Sequence, residues 1–150
     1  MKRTIILFYI LIALLLISWN PNKEVLYTEV KGYRIHNTVI DTDSVKFWVF
    51  QDENTWNQQF TVINPNEAKP INFKKSMIIA FAKHGNNDWE FKTKRVMELS
   101  GILTFEYTSK ITTENTSYRS LAPYVISVEK QVVRYVVFKE NGIKVKSIKL

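Results

Sequence analysis

The chain is 150 residues long, 45% apolar and 13% aromatic, with 21 Lys and Arg against 14 Asp and Glu for a formal charge of +7. That supply of large apolar side chains excludes a disordered polypeptide. The absence of cysteine excludes disulfides, thiolate nucleophiles, cysteine-based zinc sites and lipid attachment through an N-terminal cysteine, so stability has to come from packing.

Lys2 and Arg3 precede an apolar run over residues 5–19 that stops at Asn20, Pro21 and Asn22. A cationic head stays on the inner side of a membrane while the apolar stretch enters it, which predicts an export signal. The run is at the top of the roughly 7–15 residues of a signal core and below the roughly 17–25 of a spanning helix. Ser18 offers a small residue for cleavage and Leu16 departs from the usual small-x-small pattern. Residues 1–19 are therefore either a removed signal peptide or a retained anchor. The expected location is outside the cytoplasm, in the periplasm or cell envelope, a setting that a disulfide-free bacterial protein suits.

Residues 20–150 are expected to form a single exported β-rich domain in which 19 basic residues face 14 acidic ones. Its predicted class is α+β, mainly antiparallel sheet with one short helix. Residues 24–35 read as a first extended region without a clean period. Residues 41–44 are turn-like. Residues 44–51 read as a strand with Val45, Phe47 and Val49 on one face and Lys46, Trp48 and Phe50 on the other. Residues 52–59 begin with helix-capping types and set Trp56 four places from Phe60, which predicts the helix.

Pro65 and Pro70 make residues 64–70 a loop. The apolar stretch 77–82 suits a central strand covered on both sides. From Trp89 the alternation puts Trp89, Phe91 and Thr93 against Glu90, Lys92 and Lys94. After Ser100 and Gly101, a partner strand sets Leu103, Phe105 and Tyr107 against Thr104, Glu106 and Thr108. Residues 111–120, rich in Thr, Ser and Asn, read as a mobile loop. Strands follow at 124–128 and 132–138. Asn141-Gly142 then specifies a two-residue hairpin that places Phe138 opposite Val145 and Lys139 opposite Lys144, with the lysine face in water.

Chemical motifs are sparse. His36 and His84 are the only histidines, and neither has another at metal-ligand spacing. Asp41 and Asp43 are spaced as in a calcium loop, but the glycine and distal glutamate of that motif are missing. The four glycines build neither a phosphate cradle nor a nucleophile elbow. No metal or cofactor is expected. His84, Asn86, Asn87 and Asp88 form the densest polar cluster and the candidate ligand site, with a hydrolase centred on His84 and Asp88 as one alternative. A hydrophilic turn between strands explains the same residues. Lys92, Lys94 and Arg95, and later Lys144, Lys146 and Lys149, are candidates for contact with anionic lipid or glycan, the ordinary reading being solvated strand faces. Nucleic acid is not expected as a partner of an exported chain.

The segment Asn54-Thr55-Trp56-Asn57-Gln58-Gln59-Phe60, then Pro70-Ile71-Asn72-Phe73-Lys74-Lys75-Ser76-Met77-Ile78-Ile79 entering a strand, and later Pro123 with its strand, resemble the C-terminal domain of the protease complex subunit PrcB family over residues 50–150. The family's Gly-Gly-Tyr turn is replaced around residues 84–89, and the lipoprotein cysteine of many exported relatives is absent. The resemblance implies a non-catalytic accessory or binding module outside the cytoplasm, supporting a protein partner such as a surface protease, with no catalytic residues carried over. The 111–120 loop is the expected reach toward such a partner. Membrane contact is expected through the N-terminal segment.

Overall fold

The computed structural model describes residues 22–36 and 45–150. The leader at 1–19 and the turn bearing Asp41 and Asp43 lie outside the described residues. Those described are mostly strand, paired largely antiparallel, with one short helix. In chain order they are β1 (Lys23–Glu24), β2 (Tyr27–Glu29), β3 (Tyr33–Ile35), β4 (Lys46–Phe50), α1 (Glu53–Gln59) and β5 (Phe60–Val62), then β6 (Ser76–Gly85), β7 (Asp88–Leu99), β8 (Ile102–Thr113), β9 (Ser120–Glu129), β10 (Tyr135–Glu140) and β11 (Ile143–Lys149).

A five-stranded sheet in the order β1-β7-β8-β10-β11 packs face to face on a four-stranded sheet ordered β2-β9-β6-β4. The core between them joins Met77, Ile79 and Phe81 of β6 and Ile126 and Val128 of β9 to Leu103, Phe105, Tyr107, Val136 and Phe138 of the larger sheet. The β6 run is apolar at every position because its other face is also covered. Ile78, Ala80 and Ala82 point into a second core with Phe50, Trp56, Phe60 and Ile35. There α1 and the β3-β5 ribbon form a third layer over the smaller sheet. β4 lies between both cores as its two apolar faces predict, with Phe47 and Val49 on one side and Trp48 and Phe50 on the other.

The helix is held at both ends of its logic, cap and anchor. Asp52 accepts the Thr55 amide at 2.9 Å and the Thr55 hydroxyl at 3.0 Å. The Thr55 amide bond holds the Asp52 carboxyl below its ordinary range, against slight burial. Seven residues are too few for a stable isolated helix, so Trp56 fastens it. Its ring stacks on Phe60 at 4.2 Å and meets Tyr33 and Phe50 edge-on.

Several expectations are corrected. The 24–35 region is three short strands in three different sheets: the chain leaves β1 at Val25 and Leu26, and Gly32 turns it from β2 into β3 at φ +82, where a Cβ would sit 2.5 Å from the Ala68 amide nitrogen. Residues 111–113 are strand: Ile111 pairs with Trp89 and Thr113 with Asp88, the β-branched threonines suiting an exposed strand end. The loop is confined to residues 114–119, and Ser120 opens β9. β10 starts at Tyr135 rather than 132, and Val132 is fully exposed. At the Asn141-Gly142 turn both residues take positive φ, and Lys139 does face Lys144. A bulge then slips the register, so Phe138 faces Lys146 and not Val145.

Candidate functional site

The polar turn at the end of β6 is consumed by its own architecture. Asn86 accepts the Thr116 amide through its backbone carbonyl at 2.6 Å, and the Asn87 side chain accepts the Asn115 amide at 3.1 Å. Tyr118 donates its hydroxyl to Asp88 at 2.8 Å, and Ser120 donates to the Asn87 carbonyl. The hydrogen bond to Asp88 raises the Tyr118 hydroxyl above its ordinary range. Asn86, Asn87 and Asp88 thus brace the 114–119 loop, as turn residues do. His84 is on β6 opposite Leu121. Asn86, Asn87 and Asp88 come together in a clamp between two connections.

A second cluster lies between the sheets at the same end. Lys83 donates to the Ser109 hydroxyl at 3.0 Å and to Glu140, while Ser109 donates to Glu140 at 2.5 Å and Tyr107 donates at 3.2 Å. Burial would raise the Glu140 carboxyl, but these donors outweigh it and hold it low. Tyr107 is pushed up by burial and by that neighbouring carboxylate. A serine beside a lysine has the outline of a nucleophile and its base. Here Ser109 commits its hydrogen to Glu140, and Lys83 donates into the same carboxylate. Neither is set to attack or to accept a proton; the cluster ties β6 to β8 and β10.

Tyr124 does similar work elsewhere. It donates to Glu29 at 2.6 Å and accepts from the Thr93 amide at 3.2 Å, with burial first and the Glu29 bond second pushing its hydroxyl up to about 12.

The outer face of the five-stranded sheet is different. Among the described residues no element covers it, and strand register gathers its charges. A bulge between Thr93 and Arg95 turns both Lys94 and Arg95 to this side, where they bind the two oxygens of Glu106 at 2.8 and 2.7 Å. Glu106 is only 3% exposed, and the Lys94 bond first and the Arg95 bond beside it hold its carboxyl low despite burial. Parallel pairing of β10 with β8 brings Lys139 beside Glu106, and the hairpin brings Lys144 beside Lys139. Lys92 is one row away, opposite Thr108. Strand spacing of about 4.8 Å makes this a compact row. Two cations therefore hold the carboxylate and three more, Lys139, Lys144 and Lys92, share the face nearby, with Glu90 and Lys110 facing each other beyond them.

Of the predicted basic residues, Lys92, Lys94 and Lys144 share this face. Lys146 does not: the β11 bulge pairs it with Phe138, whose side chain is in the core, so it takes the opposite side from Lys144. Lys139 and Glu106 complete the row and were not singled out, because the β8-β10 pairing that unites them is a parallel contact between strands distant in sequence. Below the basic row lies a partly apolar one: Met97, Thr104 and Val137, then Leu99, Ile102 and Tyr135.

No family model, curated protein or solved structure matches the chain.

Proposed function

We propose that the protein is a non-catalytic binding module of the cell envelope that docks an acidic protein partner on the bare face of its five-stranded sheet. The observation behind this reading is the row of Lys94, Arg95, Lys139 and Lys144 around Glu106, adjoining the half-apolar row of Met97, Thr104 and Val137. A face that joins Arg and Met to apolar side chains has the makeup of a protein interface, and its charge selects a negative counterpart. Glu106 fixes the two cations of β7 in place, so less side-chain freedom is lost when a partner binds. The accessory role expected from the PrcB likeness agrees with it in needing no catalytic group.

Retention on immobilised polyglutamate tests the reading, with phosphatidylglycerol vesicles as the counter-probe. Wild-type retention should weaken as ionic strength rises above physiological, where the screening length falls below about 8 Å. It should also fall sharply in the double variant Lys92→Glu, Lys144→Glu. Retention indifferent to both salt and charge reversal would overturn the proposal. Vesicle binding abolished by the same reversal, with polyglutamate ignored, would hand the face to lipid instead.

A further inference from the structure

One end of the sandwich gathers exposed apolar side chains beside the start of β1. Four strands of the larger sheet terminate there in a single line, with Leu99 opposite Ile102, Ile102 beside Tyr135 and Tyr135 opposite Lys149. Leu99, Ile102 and Tyr135 are each more than a third exposed. The 130–134 link closes the same end, since the Arg134 amide donates to Gly101 at 2.8 Å and its guanidinium to Ser100 at 3.1 Å. That link projects Val132 wholly into solvent, 101% exposed, and Leu150 is tied beside it through Arg134. Leu26, 88% exposed, precedes β2 where β9 ends and the link begins.

The first described strand starts at this end too. Lys23 lies opposite Glu98, so the antiparallel register carries the chain outward past Leu99. The apolar run of residues 5–19 ends four residues before Lys23, a covalent reach of no more than about 14 Å. Exposed cations ring the apolar tip: Lys23, Arg134 and Lys149. The acids nearby are Glu98, which accepts the Gly101 amide at 2.7 Å, and the exposed Glu24 and Glu129.

We infer that this end is a membrane-docking tip, in which Val132, Ile102, Tyr135 and Leu26 enter the headgroup region of an anionic bilayer within a collar of Lys23, Arg134 and Lys149. Branched aliphatics with a tyrosine and flanking basic residues are the composition that settles at a membrane interface. Val132 and Leu26 stand almost wholly in water at this end and Ile102 and Tyr135 partly so, and dipping them into acyl chains removes that exposure. The opposite end also bears exposed Tyr118 and Ile143, so what singles out this tip is its place where the chain enters from residues 5–19. A domain seated on its tip holds its strands upright from the surface. The basic face of the larger sheet then stands sideways, open to a protein partner and clear of the lipid.

The missing cysteines make the test direct. Val132→Cys and, at the opposite end, Ile143→Cys replace side chains that are 101% and 71% exposed, so neither change disturbs packing. Each full-length variant is labelled with an environment-sensitive nitrobenzoxadiazole and mixed with vesicles of phosphatidylcholine and phosphatidylglycerol. The label at position 132 should brighten several-fold and be quenched by lipid-borne nitroxide, while the label at 143 stays unchanged. Adding Arg134→Glu and Lys149→Glu should reduce the response at 132. Equal responses at both positions, or none at 132, would overturn the docking tip. Lys92→Glu with Lys144→Glu should leave the signal at 132 intact, which separates this inference from the acidic-partner reading.

Discussion

The two sheets share one core but treat their outer faces in opposite ways. The smaller sheet hides its outer face under α1 and the β3-β5 ribbon, and the residues there are Trp48, Phe50, Ile78 and Ala80. Among the described residues nothing covers the outer face of the larger sheet, which carries Lys92, Lys94, Arg95, Thr108 and Lys144. The difference shows where the chain invests in stability and where it keeps surface for contact. A covered face is fixed by packing, and its substitutions cost folding energy; an open charged face changes its binding while the fold stays as it is.

Removing the cover is the strongest way to break the comparison. Trp56→Ala takes away the ring that stacks on Phe60 and contacts Tyr33 and Phe50, at a site 3% exposed. Large aromatic truncations in a core cost about 3–5 kcal/mol. Urea unfolding should show a midpoint lowered accordingly with little change in slope. A loss below about 1 kcal/mol would mean that the third layer is only loosely attached.

The clamp between the sheets comes next. Lys83→Ala leaves Glu140 partly buried with Ser109 and Tyr107 as its remaining donors. Breaking a fully buried pair costs about 3–5 kcal/mol, and the 14% and 17% exposure of these side chains reduces that to about 2 kcal/mol. The clamp's carboxylate and the one on the outer face set an acid limit together. Glu140 and Glu106 both have folded carboxyl values below their unfolded ones, so their contribution is complete above the unfolded value and fades as pH falls through the folded value. Stability should therefore decline below about pH 4. In the variant Glu106→Gln, Glu140→Gln that decline should be shallower, as measured by thermal unfolding across a pH series.

Gly32 joins the smaller sheet to its cover and is the next test. Gly32→Ala meets both a φ of +82 and an Ala68 nitrogen 2.5 Å from the new Cβ. Backbone conflicts of this kind cost more than about 1 kcal/mol. The loss should appear in the unfolding midpoint, and a neutral result would show that the 64–68 loop gives way easily.

Much of this asymmetry was legible in the residues. The unbroken apolar β6 run announced a strand covered twice, and the alternation at Leu103, Phe105 and Tyr107 announced a strand covered once. Asp52 and Trp56 marked the helix, and Asn141-Gly142 marked its turn. What escaped was everything set by non-local pairing or by one inserted residue. The bulges at β7 and β11 decide that Lys94 joins Arg95 and that Lys146 leaves Lys144, and no periodicity reports an extra residue. The 111–113 segment looked like loop because its polar threonines mark an uncovered strand end as readily as a connection. The His84 to Asp88 cluster was visible as polar, but only the fold shows Asn86, Asn87 and Asp88 engaged with the 114–119 loop.

The smallest expected effect on stability is also the sharpest probe of the open face. Lys144 faces Lys139 directly across the hairpin, a like-charge pair that weakens the sheet slightly. Lys144→Glu puts a carboxylate against Lys139 and should raise stability by about 0.2–0.5 kcal/mol, read as a small rise in the melting temperature. Affinity for an acidic partner should fall in the same variant, because the row loses one cation and gains one anion. Opposite signs for folding and binding are what an interaction surface produces, since its charges are arranged for a partner at a small cost to the isolated chain. A parallel loss of both would show Lys144 holding the hairpin together, and the open face would then be structural like the covered one.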